Sequence, residues 1–151
     1  MDATLKLTNV KKSLKKYFLY FFTTTNNVKV IYDKWLVKEY LATQTAGKWI
    51  FINFGEPIIA TLSSLEVTLI ACSKGDPEGV ELSKLQDFIV ECLTDTTSDR
   101  KIVDFYNTYT SPWTLIGGIV IKQTGGGKES LGDENVNVSV INVRAKWGAK
   151  T

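Results

Sequence analysis

A run of seven residues, KWIFINF at 48–54, constrains the fold more than any other part of the chain. Five of its seven side chains are aromatic or β-branched, which favours a strand. Trp49 and Phe51 would lie on one face of that strand, and Ile50 and Ile52 on the other, so both faces are apolar. Such a strand has to be covered on both sides, which places it in the centre of a sheet or at an interface.

Apolar runs, most of them alternating, predict five further strands. These are expected at residues 28–32, 65–72, 101–106, 115–121 and 136–146. In the last of them the apolar positions change parity between Val140 and Ile141, which indicates a β-bulge or a strand with two buried faces. The glycine pair Gly117 and Gly118 indicates a bulge or a close backbone contact.

Two segments have the apolar spacing of amphipathic helices. The first covers about residues 4–23, and its apolar side comprises Leu7, Val10, Leu14, Tyr17, Phe18, Phe21 and Phe22. The second covers residues 77–93, where Asp76 is the expected N-cap. With 151 residues, the chain is long enough for one core. The order of elements therefore predicts a single α+β domain over residues 1–151, with a mixed or antiparallel sheet and two main helices packed on one face.

Three stretches lack a clear pattern. Residues 34–41 fit a short helix or a strand, and residues 58–64 are expected to connect two strands. Residues 123–135 hold four glycines and are expected to form a flexible loop. The glycine run before Lys128 differs from a phosphate-binding loop in its spacing, and a strand rather than a helix follows it.

The composition argues against catalysis and metal binding. The chain has no histidine, so the commonest general base and a preferred zinc ligand are both missing. Cys72 and Cys92 form no CxxC pair, so we expect two buried thiols in a reducing compartment. No acidic or nucleophilic residues have the spacing of a catalytic site. We therefore expect a protein that is not an enzyme and that uses no cofactor and no metal.

Charge is unevenly distributed along the chain. The net charge is +2, but residues 1–40 carry +5 and the remainder carries −3. The first helix alone contributes Lys6, Lys11, Lys12, Lys15 and Lys16. Three interpretations stay open: a helix packed on the sheet with a lysine surface, a helix that meets another subunit, or one that lies on a membrane. No apolar run reaches the length of a membrane span.

Several motifs together resemble the tail terminator, or tail completion, proteins of long-tailed bacteriophages. They are KWIFINFG at 48–55, LEVTLIACS at 65–73, KGDPEG at 74–79 and the amphipathic helix that follows, with Leu82, Leu85 and Asp87. The small size, the N-terminal helix, the DFY segment at 104–106 and a final strand that closes in RAKWG at 144–148 agree with that resemblance.

The resemblance implies a structural virion protein of the tail and neck, assembled in the host cytoplasm. Proteins of that family form a homo-oligomeric ring, usually a hexamer, that caps the tail tube and ends its polymerisation. The ring joins the tail tube protein to head-side connector proteins, and genomic DNA passes through it without being read. The resemblance implies no cofactor and no membrane partner.

Aromatic and basic residues are the candidates for the contacts of such a ring. We expect them to include Trp49, Phe51, Trp113, Trp147, Lys12 and Lys16. The tryptophans fit the core or a subunit interface, and stacking on nucleic-acid bases is the alternative. Two other functions remain open: a head-closure or adaptor protein of the neck, and a module that binds membrane or nucleic acid through its basic helix.

Overall fold

A computed structural model describes residues 2–33, 47–76, 78–129 and 136–148, with the backbone alone at 127–129. The segment predicted as a helix or strand at 34–41 lies outside these residues. The helical elements are a 3-10 turn (Ala3–Leu5), α1 (Leu7–Phe18), a π-helical segment (Leu19–Thr25) and α2 (Val80–Leu93). The strands are β1 (Lys29–Tyr32), β2 (Lys48–Ile58), β3 (Leu62–Lys74), β4 (Arg100–Asn107), β5 (Thr114–Glu129) and β6 (Val136–Gly148).

The described strands form one curled, mixed sheet in the order β1-β2-β3-β6-β5-β4. β1 runs parallel to β2, and the other neighbouring pairs are antiparallel. The apolar sides of both helices pack on the same face of the sheet, in one core cluster that includes Leu14, Phe18, Leu85 and Ile89. The predicted α+β fold with two main helices on a mixed sheet is therefore confirmed.

β2 is covered on both of its faces, as its sequence predicts. Ile50 and Ile52 belong to the main core beneath the helices. Trp49 and Phe51 belong to a second buried cluster on the opposite face, together with Ile70, Cys72, Val136 and Val138. The parity change in β6 also reflects two buried faces. No bulge interrupts its pairing with β3, which keeps one register from Leu62↔Gly148 to Lys74↔Val136. Of the two explanations offered for that change, two buried faces is the one observed.

The predicted ends of several elements are wrong. The connection expected at 58–64 is only a short turn, because β2 continues through a bulge to Ile58 and β3 begins at Leu62. The flexible loop expected at 123–135 begins later, because β5 continues to Glu129 and pairs with β6. The predicted start of the second helix is also too early, since α2 begins at Val80 after Gly79, which adopts a left-handed conformation.

β5 contains two bulges, which explain why its glycine-containing parts do not follow the alternating pattern of a strand. The pairing of β5 with β4 skips Ile116, next to the predicted glycine pair, and its pairing with β6 skips Thr124. A Cβ atom at Gly118 would lie 2.9 Å from Cγ2 of Ile102, so the strands approach closely there. Each bulge bends the strand and increases its twist, which helps the sheet to curl.

The sheet has two distinct ends. The β2–β3 turn, the end of β6 and the turn between β4 and β5 lie at one end, as the strand registers require. α2 lies across the opposite end, where Gln86 donates a hydrogen bond to Ser139 Oγ (3.0 Å) and Glu81 pairs with Lys48 (3.7 Å). α1 starts at the first end, where the Trp147 indole donates to the Thr4 carbonyl (2.8 Å).

Candidate interaction surfaces

α1 lies along the outer edge of β4 and supplies hydrogen bonds to its backbone. Ser13 Oγ accepts a bond from the Tyr106 N–H (2.9 Å), and Asn9 Oδ1 accepts one from the Thr108 N–H just beyond the strand (2.9 Å). An exposed edge strand invites pairing with another chain, and side chains of a helix remove that risk here. Ser13 and Asn9 are buried polar residues on the helix, so α1 has a fixed position on the sheet.

The lysines of α1 lie over aromatic rings from both edges of the sheet. The Lys15 ammonium is 4.9 Å from the ring centre of Tyr32 on β1. The Lys16 ammonium is 4.4 Å from the ring of Tyr106 on β4 and 5.6 Å from the ring of Trp113. Two further pairs are Lys6 over Tyr109 (4.1 Å) and Lys11 over Phe54 (5.6 Å). Each such contact contributes about 0.5–1 kcal/mol at an exposed site and orients the ammonium group.

We name these lysines and the rings beneath them the lysine–aromatic surface. Its five lysines are Lys6, Lys11, Lys12, Lys15 and Lys16. The ion pairs within the described part of the chain join other residues, namely Lys48–Glu81, Lys84–Glu81, Lys122–Asp99 and Arg144–Glu66. None of the five lysines belongs to these ion pairs, so the surface is positively charged and attracts acidic partners.

A pocket of about 390 Å³ opens in the middle of this surface. It is lined by Lys12, Lys15, Lys16, Leu19, Tyr32 and Trp113. The pocket wall is largely apolar, and Leu19 and Trp113 keep 50% and 39% of their surface exposed. Lys12, Lys15 and Lys16 line the pocket together with these apolar side chains. The arrangement suits an apolar side chain that has carboxylates beside it.

The six residues predicted for interfaces fall into two groups. Lys12, Lys16 and Trp113 come together at the pocket, although Trp113 is about a hundred positions from the two lysines in sequence. Trp49 and Phe51 are fully buried in the second cluster, and Trp147 is 1% exposed in the main core, edge-on to Phe105. These three are covered within a single chain, and their role in an interface between chains stays a prediction.

From the sequence we did not predict that Tyr32, Leu19 and Lys15 would be neighbours of Trp113 in this pocket. Lys15 and Leu19 lie in the N-terminal helical region, whereas Tyr32 lies on the edge strand β1. Trp113 lies near the opposite edge, and only the curl of the sheet brings both edges to the same helix. The surplus of lysine in the first helix was the available signal. No local pattern in the sequence identifies the rings over which those lysines lie.

A second surface consists of exposed apolar residues at the end of the sheet where β2 meets β3. Ile58, Ile59 and Leu62 are 68%, 47% and 60% exposed on that turn. The neighbouring turn exposes Tyr109, and Leu115 at the start of β5 is 59% exposed. β3 and β5 are separated by β6 alone, so the two turns lie at the same end of the sheet. We name these five residues the apolar end; groups of large exposed apolar side chains can mark contact sites.

The segment that contains α2 is strongly acidic. Residues 76–99 contain seven acidic residues and one lysine. Asp87 and Glu91 are exposed on α2, and Val90 between them is 51% exposed. Neither Asp87 nor Glu91 forms an ion pair with another residue that the structure describes. We name Asp87, Val90 and Glu91 the acidic face.

Asp76 caps α2 with its side chain, although it lies three residues before the N-cap position. Its carboxylate accepts hydrogen bonds from the Leu82 N–H (3.0 Å) and from Ser73 Oγ (3.0 Å). Burial alone would raise the pKa of Asp76, but these hydrogen bonds outweigh it and hold that pKa below its ordinary value. Asp76 was predicted as the N-cap, but the N-cap residue is Gly79. The Asp76 carboxylate instead accepts a hydrogen bond from the first turn of α2 while Asp76 itself lies before the helix.

The thiols and carboxylates of the described residues show no reactive cluster. Cys72 and Cys92 are free and buried, as predicted, and burial raises the pKa of each thiol to about 12. Thiols that keep their protons are poor nucleophiles and poor metal ligands. Among the described residues, no three His, Cys, Asp or Glu side chains are grouped to hold a metal. None of the described helices combines the length and apolar character needed to cross a membrane.

Comparison with known proteins gives no relative from which a function could be transferred. The sequence matches no protein-family model, and no curated protein matches it.

Proposed function

We propose that this protein is a structural subunit of a bacteriophage tail, a tail terminator that assembles into a ring and caps the tail tube. The ring ends polymerisation of the tube and joins it to head-side connector proteins, in a virion assembled in the host cytoplasm. The observation that carries the proposal is the apolar end, where two neighbouring turns expose large apolar side chains. A chain that works by contact with other proteins needs such a surface.

The chain offers several surfaces for contacts, and Tyr109 is shared by the apolar end and the lysine–aromatic surface. The apolar end lies at one end of the sheet, α2 lies across the other, and the lysine–aromatic surface runs along α1 between them. A ring subunit of a tail needs contacts with its own copies and with a different protein stacked on the ring. The order of elements also agrees with the resemblance of residues 48–93 to tail terminators. We assign the apolar end to the tail tube protein.

Substitutions at the apolar end test this assignment. Ile59→Asp and Leu62→Asp place a charge where the tube contact is proposed, and both sites are exposed in the single chain, so folding should persist. Tube protein from the same virus is polymerised with each variant, and tube lengths are measured by electron microscopy. Wild-type chain should shorten the tubes to a limiting length, and the two variants should leave them at least several-fold longer.

Ile102→Asp is the matched control, because Ile102 is 69% exposed on β4 outside the apolar end. It should cap tubes as well as the wild type does. Equal capping by all variants would remove the apolar end from the tube contact. Tubes that grow without limit in the presence of wild-type chain would refute the terminator function.

The lysine–aromatic surface supports a second candidate, a module that binds nucleic acid or an anionic membrane through α1. Binding of that kind weakens steeply as salt is added, because each lysine contact releases counterions. Tight binding to DNA or to anionic vesicles by a chain that leaves tail tubes unaffected would favour this candidate. A head-closure or adaptor protein of the neck would instead assemble on the head-side connector and not on tubes.

A further inference from the structure

The two helices of this chain carry opposite charge. α1 and its N-cap Lys6 contribute five lysines and no acidic residue, whereas residues 76–99 contain seven acidic residues and one lysine. The lysines of α1 and the carboxylates of Asp87 and Glu91 have no ion-pair partners among the described residues. The chain therefore presents two complementary surfaces that do not neutralise each other internally.

The two surfaces also match in their apolar parts. Val90 and Glu91 follow Asp87 by three and four residues, so the three lie on one face of α2, with Val90 on one side of Asp87 and Glu91 on the other. The pocket on α1 has the reverse pattern, an apolar wall of Leu19, Tyr32 and Trp113 with lysines around it. An exposed valine with carboxylates next to it fits an apolar pocket that lysines line.

The acidic face of a chain does not occupy the pocket of the same chain. Asp87, Val90 and Glu91 are exposed. α2 contacts α1 at its C-terminal end, where the Tyr17 hydroxyl donates a hydrogen bond to the Cys92 carbonyl (2.7 Å). The available occupant with this charge and shape is therefore α2 of a second copy.

We infer that the acidic face of one copy docks in the lysine-lined pocket of the next copy. The inference deepens the proposed function and rests on it, because it names the surfaces through which ring subunits meet. The two surfaces differ, so the contact is head-to-tail, and each copy can accept one neighbour and offer itself to another. Repetition of such a contact builds a ring if the rotation between copies closes, and a filament if it does not.

Salt should weaken this assembly. Raising ionic strength from about 0.1 M to about 1 M shortens the screening length from about 10 Å to about 3 Å, which reduces attraction between exposed charges. Charge complementarity chiefly sets the encounter rate and the choice of partner, while burial of Val90 and Trp113 supplies contact area. The assembly should therefore dissociate progressively at high salt.

Charge reversal in two matched variants tests the inference. One variant carries Lys12→Glu and Lys16→Glu, and the other carries Asp87→Lys and Glu91→Lys; all four side chains are exposed, so folding should persist and circular dichroism verifies it. Light scattering gives the assembled mass of each variant at low salt. Each variant alone should scatter as a single chain, and an equimolar mixture of the two should recover the mass of the wild-type assembly.

In the mixture, the glutamates in the pocket of one variant can meet the lysines on α2 of the other, and the unchanged lysine pocket can meet the unchanged acidic face. Neither variant alone offers a pair of oppositely charged surfaces. The controls are Lys146→Glu and Glu56→Lys, exposed charges on β6 and β2 outside both surfaces, and they should assemble as the wild type does. Full assembly of either reversed variant would overturn the inference and leave the proposed ring in place. Wild-type chains that stay single at low salt, with or without tail tubes, would refute both.

DNA and anionic vesicles serve as the other possible occupants in the same experiment. Loss of DNA or vesicle binding in the lysine variant, with assembly unchanged, would assign the pocket to that occupant and overturn the inference.

Discussion

Asn9 is a polar residue with no exposed surface, and its side chain ties the start of the chain to the β4–β5 connection. Its Nδ2 donates to the Ala3 carbonyl (2.9 Å), and its Oδ1 accepts from both the backbone N–H and the hydroxyl of Thr108 (2.9 and 2.8 Å). Asn9→Ala should lower the free energy of unfolding by about 2–3 kcal/mol, because it leaves buried polar groups without partners. Urea denaturation measures the change.

Thr8→Ala is the control for that substitution, since Thr8 is exposed on the same helix. Its effect should stay within about 0.5 kcal/mol. If Asn9→Ala is as mild as the control, the position of α1 on β4 does not depend on this side chain.

The two buried thiols make stability depend on pH in the alkaline range. Burial raises the pKa of Cys72 and of Cys92 from the ordinary 9.0 to about 12, a change that outweighs the opposing effects of Tyr17 and Lys101 on Cys92. Above pH 9 the unfolded chain therefore loses thiol protons that the folded chain keeps. The free energy of unfolding should fall as pH rises from 9 towards 12, by about 1.4 kcal/mol per pH unit for each thiol.

Cys72→Ala should remove one thiol's share of that slope in urea titrations between about pH 9 and 10, where tyrosine ionisation contributes less than it does at higher pH. Burial also raises the pKa of Tyr17 and Tyr32, and these contribute in the same direction at higher pH. An unchanged slope in Cys72→Ala would show that the thiol ionises equally in both states.

At the scale of elements, Gly126 marks a place where β5 and β6 approach closely. A Cβ atom there would lie 2.5 Å from the Val140 carbonyl oxygen, whereas a Cβ at Gly117 on the same strand would meet nothing within 4 Å. Gly126→Ala should lower the free energy of unfolding by about 1–3 kcal/mol, because one strand has to move. Gly117→Ala should change it far less, and thermal unfolding compares the two. Equal effects would mean that β5 lies farther from β6 than described.

Elements were predictable where a pattern is local. The stripe of α2 places Leu82, Leu85, Ile89, Cys92 and Leu93 in the core, because helical spacing depends on the chain itself. The ends of β2 and β5 were not predictable, because glycine and proline weaken strand propensity and only pairing with a neighbour overrides that weakness. Gly125 and Gly126 thus read as a loop but lie in a strand held by β6.

At the scale of the whole molecule, the curl of the sheet determines which residues meet. It brings Tyr32 from one edge and Trp113 from near the other to the lysines of α1, so the candidate pocket depends on strand order. The sequence predicted Lys12, Lys16 and Trp113 as contact residues from charge and aromatic character, without placing them together. It also marked the two faces of β2 as apolar, but could not say whether the cover for Trp49 and Phe51 lay within one chain.

We propose that the protein lies at the end of a tail tube, joined to its own copies and acting through contact alone. Electron microscopy of tubes grown from tail tube protein in the presence of this chain tests that directly. We predict a ring of density, built from several copies of the chain, on one end of each tube, and tubes that stop growing once it is bound. Bare tube ends, with the chain left as single molecules in solution, would contradict the account.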